Sequence, residues 1–463
     1  MTISERLDRL PSTRYMVWLI ILLFLAWIAE AFDQGTIGPV LADIKPIWHL
    51  STQQVGLLGI SATVALVLGL IPSGYLVDRF GRKRLLWLGM LWFSIFTVLA
   101  GFSGNFSQLF VFRVIAGFAE GAIFPLPYAY LSELIHPKRR GAGVGWLTGI
   151  LLASYLIPSL VSVWSIHHFG AASGWRVVFF AGGIPIIFAF AILVWLPESP
   201  RWLEQRGHFE KAVEVLHKIE HIVQTQSGSI VTKTEPVKPS PRIRQQPLSF
   251  IFKKPLRRRT AMISVAYTGT QIFFYVMMVY GPTILISDGI TFAKSVLAIG
   301  TLMFCGGLGN VCHGYLSDKF GRRPLIIGYG IIAGLGCVGI ALLKNPTIVL
   351  VIGVLVGLTG MGIYVIKLYI AEQFPTVVRG RGTAFTEFFG RAIGGVLIVF
   401  YMPFFIEGFG TRAVFLLLGA VLLLITVAPV LFWGRETSGE SIDAQFDSQV
   451  YDSDVITTTL PGI

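Results

Sequence analysis

Apolar residues in this chain come in blocks of about twenty, separated mostly by short polar stretches. About twenty apolar residues is the length an α-helix needs to cross a ~30 Å hydrocarbon core. Twelve blocks lie at roughly 15–39, 52–76, 85–103, 106–134, 142–166, 175–196, 260–285, 292–315, 324–343, 346–371, 383–405 and 411–433. No block alternates apolar and polar positions over ten residues, so the pattern predicts helices and not a barrel. The expected fold is an all-α integral membrane protein with twelve transmembrane helices.

Composition agrees: 54% of the 463 residues are hydrophobic and 13% charged, against roughly 25% charged in soluble domains. The net charge of +12 raises the question of a nucleic-acid partner, and its distribution answers no. Of 37 Lys and Arg, five (Lys45, Arg176, Lys294, Lys344, Arg412) fall on one side, three lie within spans, and the remaining 29 share the other side. That asymmetry predicts cytoplasmic termini by the positive-inside rule. Arg6, Arg9 and Arg14 precede an apolar run without a cleavage site, which predicts an uncleaved first helix. Cys305, Cys312 and Cys337 all lie in predicted spans and form neither a disulfide framework nor a metal site. No cofactor is expected. Asn105-Phe106-Ser107 matches a glycosylation triplet, in an outer loop too short to favour it.

The chain repeats itself. Gly-Tyr-Leu-Val-Asp-Arg-Phe-Gly-Arg-Lys-Arg at 74–84 returns 240 positions later as Gly-Tyr-Leu-Ser-Asp-Lys-Phe-Gly-Arg-Arg-Pro. Glu133 precedes Arg140-Gly141 by seven residues, and Glu372 precedes Arg379-Gly380 by seven. Gly38-Pro39 matches Gly281-Pro282, and Gly174-Trp175-Arg176 matches Gly410-Thr411-Arg412. Six helices used twice predict two pseudo-symmetric six-helix bundles, at 1–198 and 259–435, an arrangement common among transporters. Between them, 199–258 forms a cytoplasmic loop. Phe209, Val213, Leu216 and Ile219 share one helical face there, which predicts a surface helix, and 224–247 reads as flexible linker. Residues 436–463 read as an acidic, solvated tail.

These motifs resemble the major facilitator superfamily, in the branch of sugar porters and organic-ion transporters. The signatures at Gly74–Arg84 and Gly314–Arg323 are similar to its hallmark loops. Pro197-Glu198-Ser199-Pro200-Arg201-Trp202-Leu203 is similar to the segment closing the first half of sugar porters. Arg113 and the Glu133 and Glu372 motifs match as well. The resemblance spans nearly the whole chain and implies a cavity open alternately to each side. It also implies gating by Asp78, Arg82, Glu133, Arg140, Asp318, Arg322, Glu372 and Arg379, as ion pairs bridging the bundles where helices meet cytoplasm. Exposed pairs are worth ~0–1 kcal/mol each, weak enough to break in every cycle.

Seven ionisable residues lie well inside predicted spans, away from their ends: Glu30, Asp33, Arg113, Glu120, Lys367, Glu387 and Arg391. Each costs ~2.5–3.5 kcal/mol at a helix centre, so such groups face a cavity or one another. They are expected to surround a wet pocket between the bundles. Spacing puts Glu30 with Asp33, Arg113 with Glu120, and Glu387 with Arg391 on shared faces. Asp33 aligns with the first-helix aspartate of proton-coupled sugar porters, which the family pairs with the counterpart of Arg113. The resemblance thus makes Asp33 the proton carrier, with Glu30 and Glu120 as further candidates.

The second half departs from hexose carriers. Lys367 stands where they have a tryptophan in the tenth helix, and Arg391 resembles the eleventh-helix arginine of organic-anion carriers. Two cations favour a carboxylate, which Arg binds bidentately. They could also simply neutralise Glu387 and other acids. Gln271 and Tyr275 join Lys367, Arg391 and Glu387 as candidate substrate contacts. Phe273, Phe274, Tyr275 and Tyr280 of the seventh helix could line the cavity or face lipid. Gly38-Pro39, Pro125 with Pro127, and Gly281-Pro282 are expected to interrupt the first, fourth and seventh spans.

No nucleophile motif, metal cluster or phosphate loop points to an enzyme. The expected function is proton-coupled symport of a small organic acid across the inner membrane by a monomer. A neutral sugar or polyol carrier is the alternative, and a non-transporting nutrient sensor the second. The expected partners are the substrate, the proton and the bilayer.

Overall fold

The computed structural model describes residues 2–11, 13–134, 140–227, 247–254, 256–287, 289–343, 345–361, 363, 366–375 and 378–437. Side chains at several positions within these, including Asp78, Glu133 and Arg140, lie outside the description. Spans 1 to 10 are Arg14–Ile47, Thr52–Val77, Arg82–Gly101, Phe106–Leu131, Gly143–Phe169, Ala172–Trp195, Leu256–Ser287, Phe292–Phe320, Arg322–Leu342 and Ile348–Glu372. The last apolar helix, Arg379–Trp433, covers 55 residues and holds spans 11 and 12. They meet at Gly410, whose φ of 77° breaks the helical path, so twelve spans result. Residues 228–246 of the predicted linker, and 438–463 of the predicted tail, lie outside the described residues.

The expected interruptions need correction. Span 1 runs unbroken through Pro39 and Pro46, and span 7 through Pro282. A proline inside a helix frees a backbone carbonyl, which membrane helices tolerate where neighbouring protein packs against it. Of the three, only span 4 breaks, between Ile123 and Leu126; spans 5 and 6 break as well, at Tyr155 and between Ala181 and Pro185. Irregular backbone is also found in the second half, as π-helical turns at Gly357–Met361, Arg391–Leu397 and Val421–Val427. Such turns widen a helix locally and are frequent at functional sites.

Each hallmark loop turns on a glycine in the left-handed region, Gly81 at φ 87° and Gly321 at φ 93°. That geometry is cheap only without a Cβ. The helix that follows, span 3 or span 9, begins with amide groups that need acceptors. A carboxylate from the end of the same half supplies them. Glu198 accepts from the Arg82 amide at 3.0 Å and the Lys83 amide at 3.2 Å. Glu436 accepts from the Arg322 amide at 2.9 Å and the Arg323 amide at 3.1 Å. Glu436 therefore belongs with the second bundle and not with a solvated tail.

The bundles meet on both sides of the membrane, and on the side opposite the termini the crossing is tight. A Cβ on Gly38 of span 1 would stand 2.3 Å from the Met278 carbonyl of span 7, so only glycine permits the crossing. Nearby, Thr52 of span 2 donates to Glu407 of span 11. Toward the terminal side, Trp146 of span 5 donates to Tyr315 of span 8 at 3.0 Å.

A satellite core covers the terminal face. The expected loop helix runs from Phe209 to Ser227 and buries Ala212, Leu216, Ile219 and Val223. Its partner is a helix not anticipated from the sequence, Ile3–Asp8, opened by a capping box between Thr2 and Glu5. Ile3 and Leu7 join the apolar cluster. Arg6 grips Glu220 through Nε at 2.7 Å and Nη2 at 2.6 Å, so a charge that would oppose burial is paired twice.

Candidate functional site

Span 1 turns Glu30 and Asp33 inward, one helical turn apart. Asp33 is 1% exposed and so is Arg113 of span 4. Arg113 Nη1 lies 2.9 Å from Asp33 Oδ2 and also donates to the Asp33 carbonyl at 3.2 Å. Thr97 of span 3 donates to the other carboxylate oxygen. A buried charge pair of this kind holds only when its remaining lone pairs are satisfied, and Thr97 does so here. Glu120, one face along from Arg113, is fully buried against Asp33 and Arg113. No donor among the described residues reaches either of its oxygens. Glu30 accepts from Gln34 Nε2 at 3.1 Å and faces the second bundle, within electrostatic reach of Lys367, Arg391 and Glu387.

The second bundle answers with its own cluster. Arg391 opens the π-helical turn of span 11, one turn beyond Glu387. Its Nε lies 3.2 Å from Glu387 Oε2, and its Nη1 donates to the Tyr275 hydroxyl of span 7 at 2.8 Å. Lys367 of span 10 reaches Glu387 Oε1 at 3.4 Å. Tyr267 of span 7 donates to Glu387 Oε2 at 2.6 Å. The expected mutual neutralisation of Lys367, Arg391 and Glu387 is thus present. Gln271 is buried beside them, and neither of its amide atoms finds a partner among the described residues.

Aromatic rings join the two clusters. Phe124 stands at the break in span 4, and its ring lies 4.1 Å from Arg391 Cζ and 4.6 Å from Lys367 Nζ. Trp27 of span 1 stacks on Phe124 at 6.1 Å and lies 5.9 Å from Lys367 Nζ. Cations over ring faces are stabilised by ~0.5–2 kcal/mol, more where water is excluded. The four span 7 aromatics face inward: Phe273, Phe274, Tyr275 and Tyr280 are all buried.

These contacts correct one expectation. The charged groups do not surround an open wet pocket; they pack against one another and against Phe124 and Trp27. Attraction between unlike charges in a low-dielectric interior closes the gap unless something holds it open. The gating contacts that are described each lie within one bundle. Arg322 pairs with Asp318 at 2.9 Å and with Glu372 at 3.4 Å, all within the second bundle. Arg379 donates to the Phe374 carbonyl at 3.4 Å, and Arg82 to Ser199 at 2.5 Å. Glu372 accepts from Thr437 at 2.5 Å. The contacts of Asp78, Glu133 and Arg140 lie outside the described side chains. Asn105 caps span 4 by accepting from the Gln108 amide, a structural duty for the glycosylation-like triplet.

Thr97, Trp27, Phe124 and Tyr267 escaped the sequence reading. Uncharged residues in apolar runs carry no signal of their own. The charges they serve lie on other spans, so only the fold brings them together.

Comparison with known proteins places this geometry. The family profile of the Major Facilitator Superfamily matches residues 23–397, and again 289–451. The niacin transporter NiaP of Acinetobacter baylyi is 26% identical over 448 residues, covering 96% of this chain and 99% of that one. The 4-hydroxybenzoate transporter PcaK of the same species is 26% identical over 408 residues, covering 84% and 86%. The inward-open xylose transporter XylE of E. coli shares the fold with a TM-score of 0.73 at 18% identity, over 93% of this chain and 100% of that one. With its paired bundles, buried charges and hallmark loops, the chain belongs to the Major Facilitator Superfamily, a family of membrane transporters and not of enzymes.

Proposed function

We propose that the protein is a proton-coupled symporter of a small organic acid, an aromatic carboxylate by preference, working by alternating access. The carrying observation is the charge balance of the site: Arg113, Lys367 and Arg391 face Glu30, Asp33, Glu120 and Glu387. Three cations already meet four carboxyls, so a further carboxylate enters a buried site only if protons enter too. Lys367 and Arg391 are the anion anchor, with Tyr275 and Gln271 alongside. Phe124, Trp27 and Phe274 offer ring faces to an aryl group. Asp33 carries the proton that drives accumulation, taking it up when Arg113 moves off its carboxylate and giving it up when the pair re-forms. The 26% identical relatives named for niacin and 4-hydroxybenzoate support an aromatic acid. In this reading the protein works as a monomer in the bacterial cytoplasmic membrane with both termini in the cytoplasm, as the basic loops favour. The hallmark-loop acids and arginines serve as its gate, and residues 1–198 and 259–435 are the two moving bodies.

The test is uptake into proteoliposomes of nicotinate, 4-hydroxybenzoate, benzoate and xylose, with and without an inward pH jump. Accumulation of one of the acids, lost in both Lys367→Met and Arg391→Met, is expected. Unchanged acid uptake in both variants rejects the anion anchor. Accumulation of xylose alone moves the substrate to neutral sugars.

A further inference from the structure

We infer that Glu387 and Phe124 together hold the place of the substrate, and that an arriving aromatic carboxylate displaces the Glu387 carboxylate as Glu387 takes up a proton. This rests on the carboxylate reading above and adds to Asp33 a second proton-accepting group, tied to binding itself.

Geometry carries the inference. A benzoate-like acid needs a carboxylate seated on two cations and a ring against a flat charged surface. Glu387 already puts one oxygen 3.4 Å from Lys367 Nζ and the other 3.2 Å from Arg391 Nε. Phe124 already lays its ring 4.1 Å from Arg391 Cζ. Carboxylate and ring come from different bundles, so the contacts that join the bundles here are those a ligand would make.

Other charged and titratable groups around Glu387 are accounted for. Arg391 lies on its own span, Lys367 on span 10, Tyr267 and Tyr275 on span 7, and Glu30 opposite on span 1. Among the described residues, Glu387 is the acid that contacts both cations. Lys367 and Arg391 cannot engage the ligand carboxylate fully while a charged Glu387 holds them. When a proton binds a Glu387 oxygen, the carboxyl is neutral, the ligand carboxylate replaces it, and the charge of the cluster is unchanged. Nothing is oxidised or reduced. Tyr267, 2.6 Å from that carboxyl, can accept the new O–H as readily as it now donates.

Binding of benzoate, nicotinate and 4-hydroxybenzoate to the full-length protein in nanodiscs tests this, with protons counted by a pH dye. Wild-type protein takes up one proton more per acid bound than Glu387→Gln. The pH slope of its apparent Kd is steeper by about tenfold per pH unit. Infrared difference spectra on binding show a new protonated-carboxyl band that Glu387→Gln removes, while Asp33→Asn and Glu30→Gln keep it. Glu387→Asp restores proton uptake. Equal proton counts in wild type and a folded Glu387→Gln that still binds overturn the inference and leave the carboxylate reading standing. If none of the acids binds either protein, that reading fails and this one with it.

Discussion

Phe124 of the first bundle and Arg391 of the second are in contact, ring centroid to guanidinium carbon 4.1 Å, at the depth where span 4 is broken. The break matters: it frees the chain to aim a ring across the interface. Replacing Phe124 by Leu keeps most of the volume and removes the ring face. A contact worth ~0.5–2 kcal/mol is lost from the closed form, so substrate exchange should quicken by roughly 2- to 30-fold. Counterflow in proteoliposomes measures it, and an unaltered exchange rate refutes the link.

Arg113 and Asp33 should behave as a unit. Arg113→Leu strands a buried carboxylate and should cost about 3–5 kcal/mol of stability, whereas Asp33→Asn with Arg113→Leu should recover much of the loss. Thermal unfolding in detergent gives the cycle. Asp33→Asn alone should abolish accumulation against a gradient and leave exchange intact. Full accumulation in that variant excludes Asp33 as the driving proton's carrier.

At the hallmark loop of the second half, Gly321 carries two burdens. Its φ is 93°, and an added Cβ would meet Glu436 Oε2 at 2.5 Å. Gly321→Ala should therefore lower stability by about 1–3 kcal/mol. Gly328→Ala, in the span that follows, finds nothing within 4 Å and should be near neutral. Similar melting temperatures for the two variants would count against the strain argument.

Gly38 sets how tightly spans 1 and 7 can cross. Gly38→Leu should hold the bundles apart on the side away from the termini, because nothing larger than hydrogen fits before Met278. Labelling of a Thr52→Cys reporter by an impermeant maleimide should then persist with or without substrate, and net transport should stop. Normal transport by Gly38→Leu would mean that this crossing does not limit closure.

Much of the architecture was legible in the chain, since oil-soluble blocks of spanning length and a repeated loop leave few alternatives. Individual ionisable side chains could also be picked out, because charge in a lipid-soluble run is conspicuous. Glu387 with Arg391 followed from spacing alone. Asp33 with Arg113 needed the family resemblance, as 80 residues separate them. Two things escaped. Whether prolines break a helix depends on what packs beside the freed carbonyl, and the sequence holds no record of neighbours. The cluster's collapse escaped because it is a property of unlike charges brought face to face, which a list of one-dimensional positions does not contain. The helix Ile3–Asp8 was hidden by its brevity: six residues are too few to show a periodic face.

Glu198 and Glu436 fasten the two halves in the same manner, and this has a practical corollary for anyone shortening or tagging the protein. The second bundle does not stop with Trp433, the last residue of its final span. Among the described residues, the last structural stitch is three residues further on, where Glu436 clasps the start of span 9 and Thr437 reaches Glu372. A fusion joined after Thr437 should leave the second half sewn shut. One joined at Gly434 would cut the thread while removing nothing that a hydropathy profile would miss.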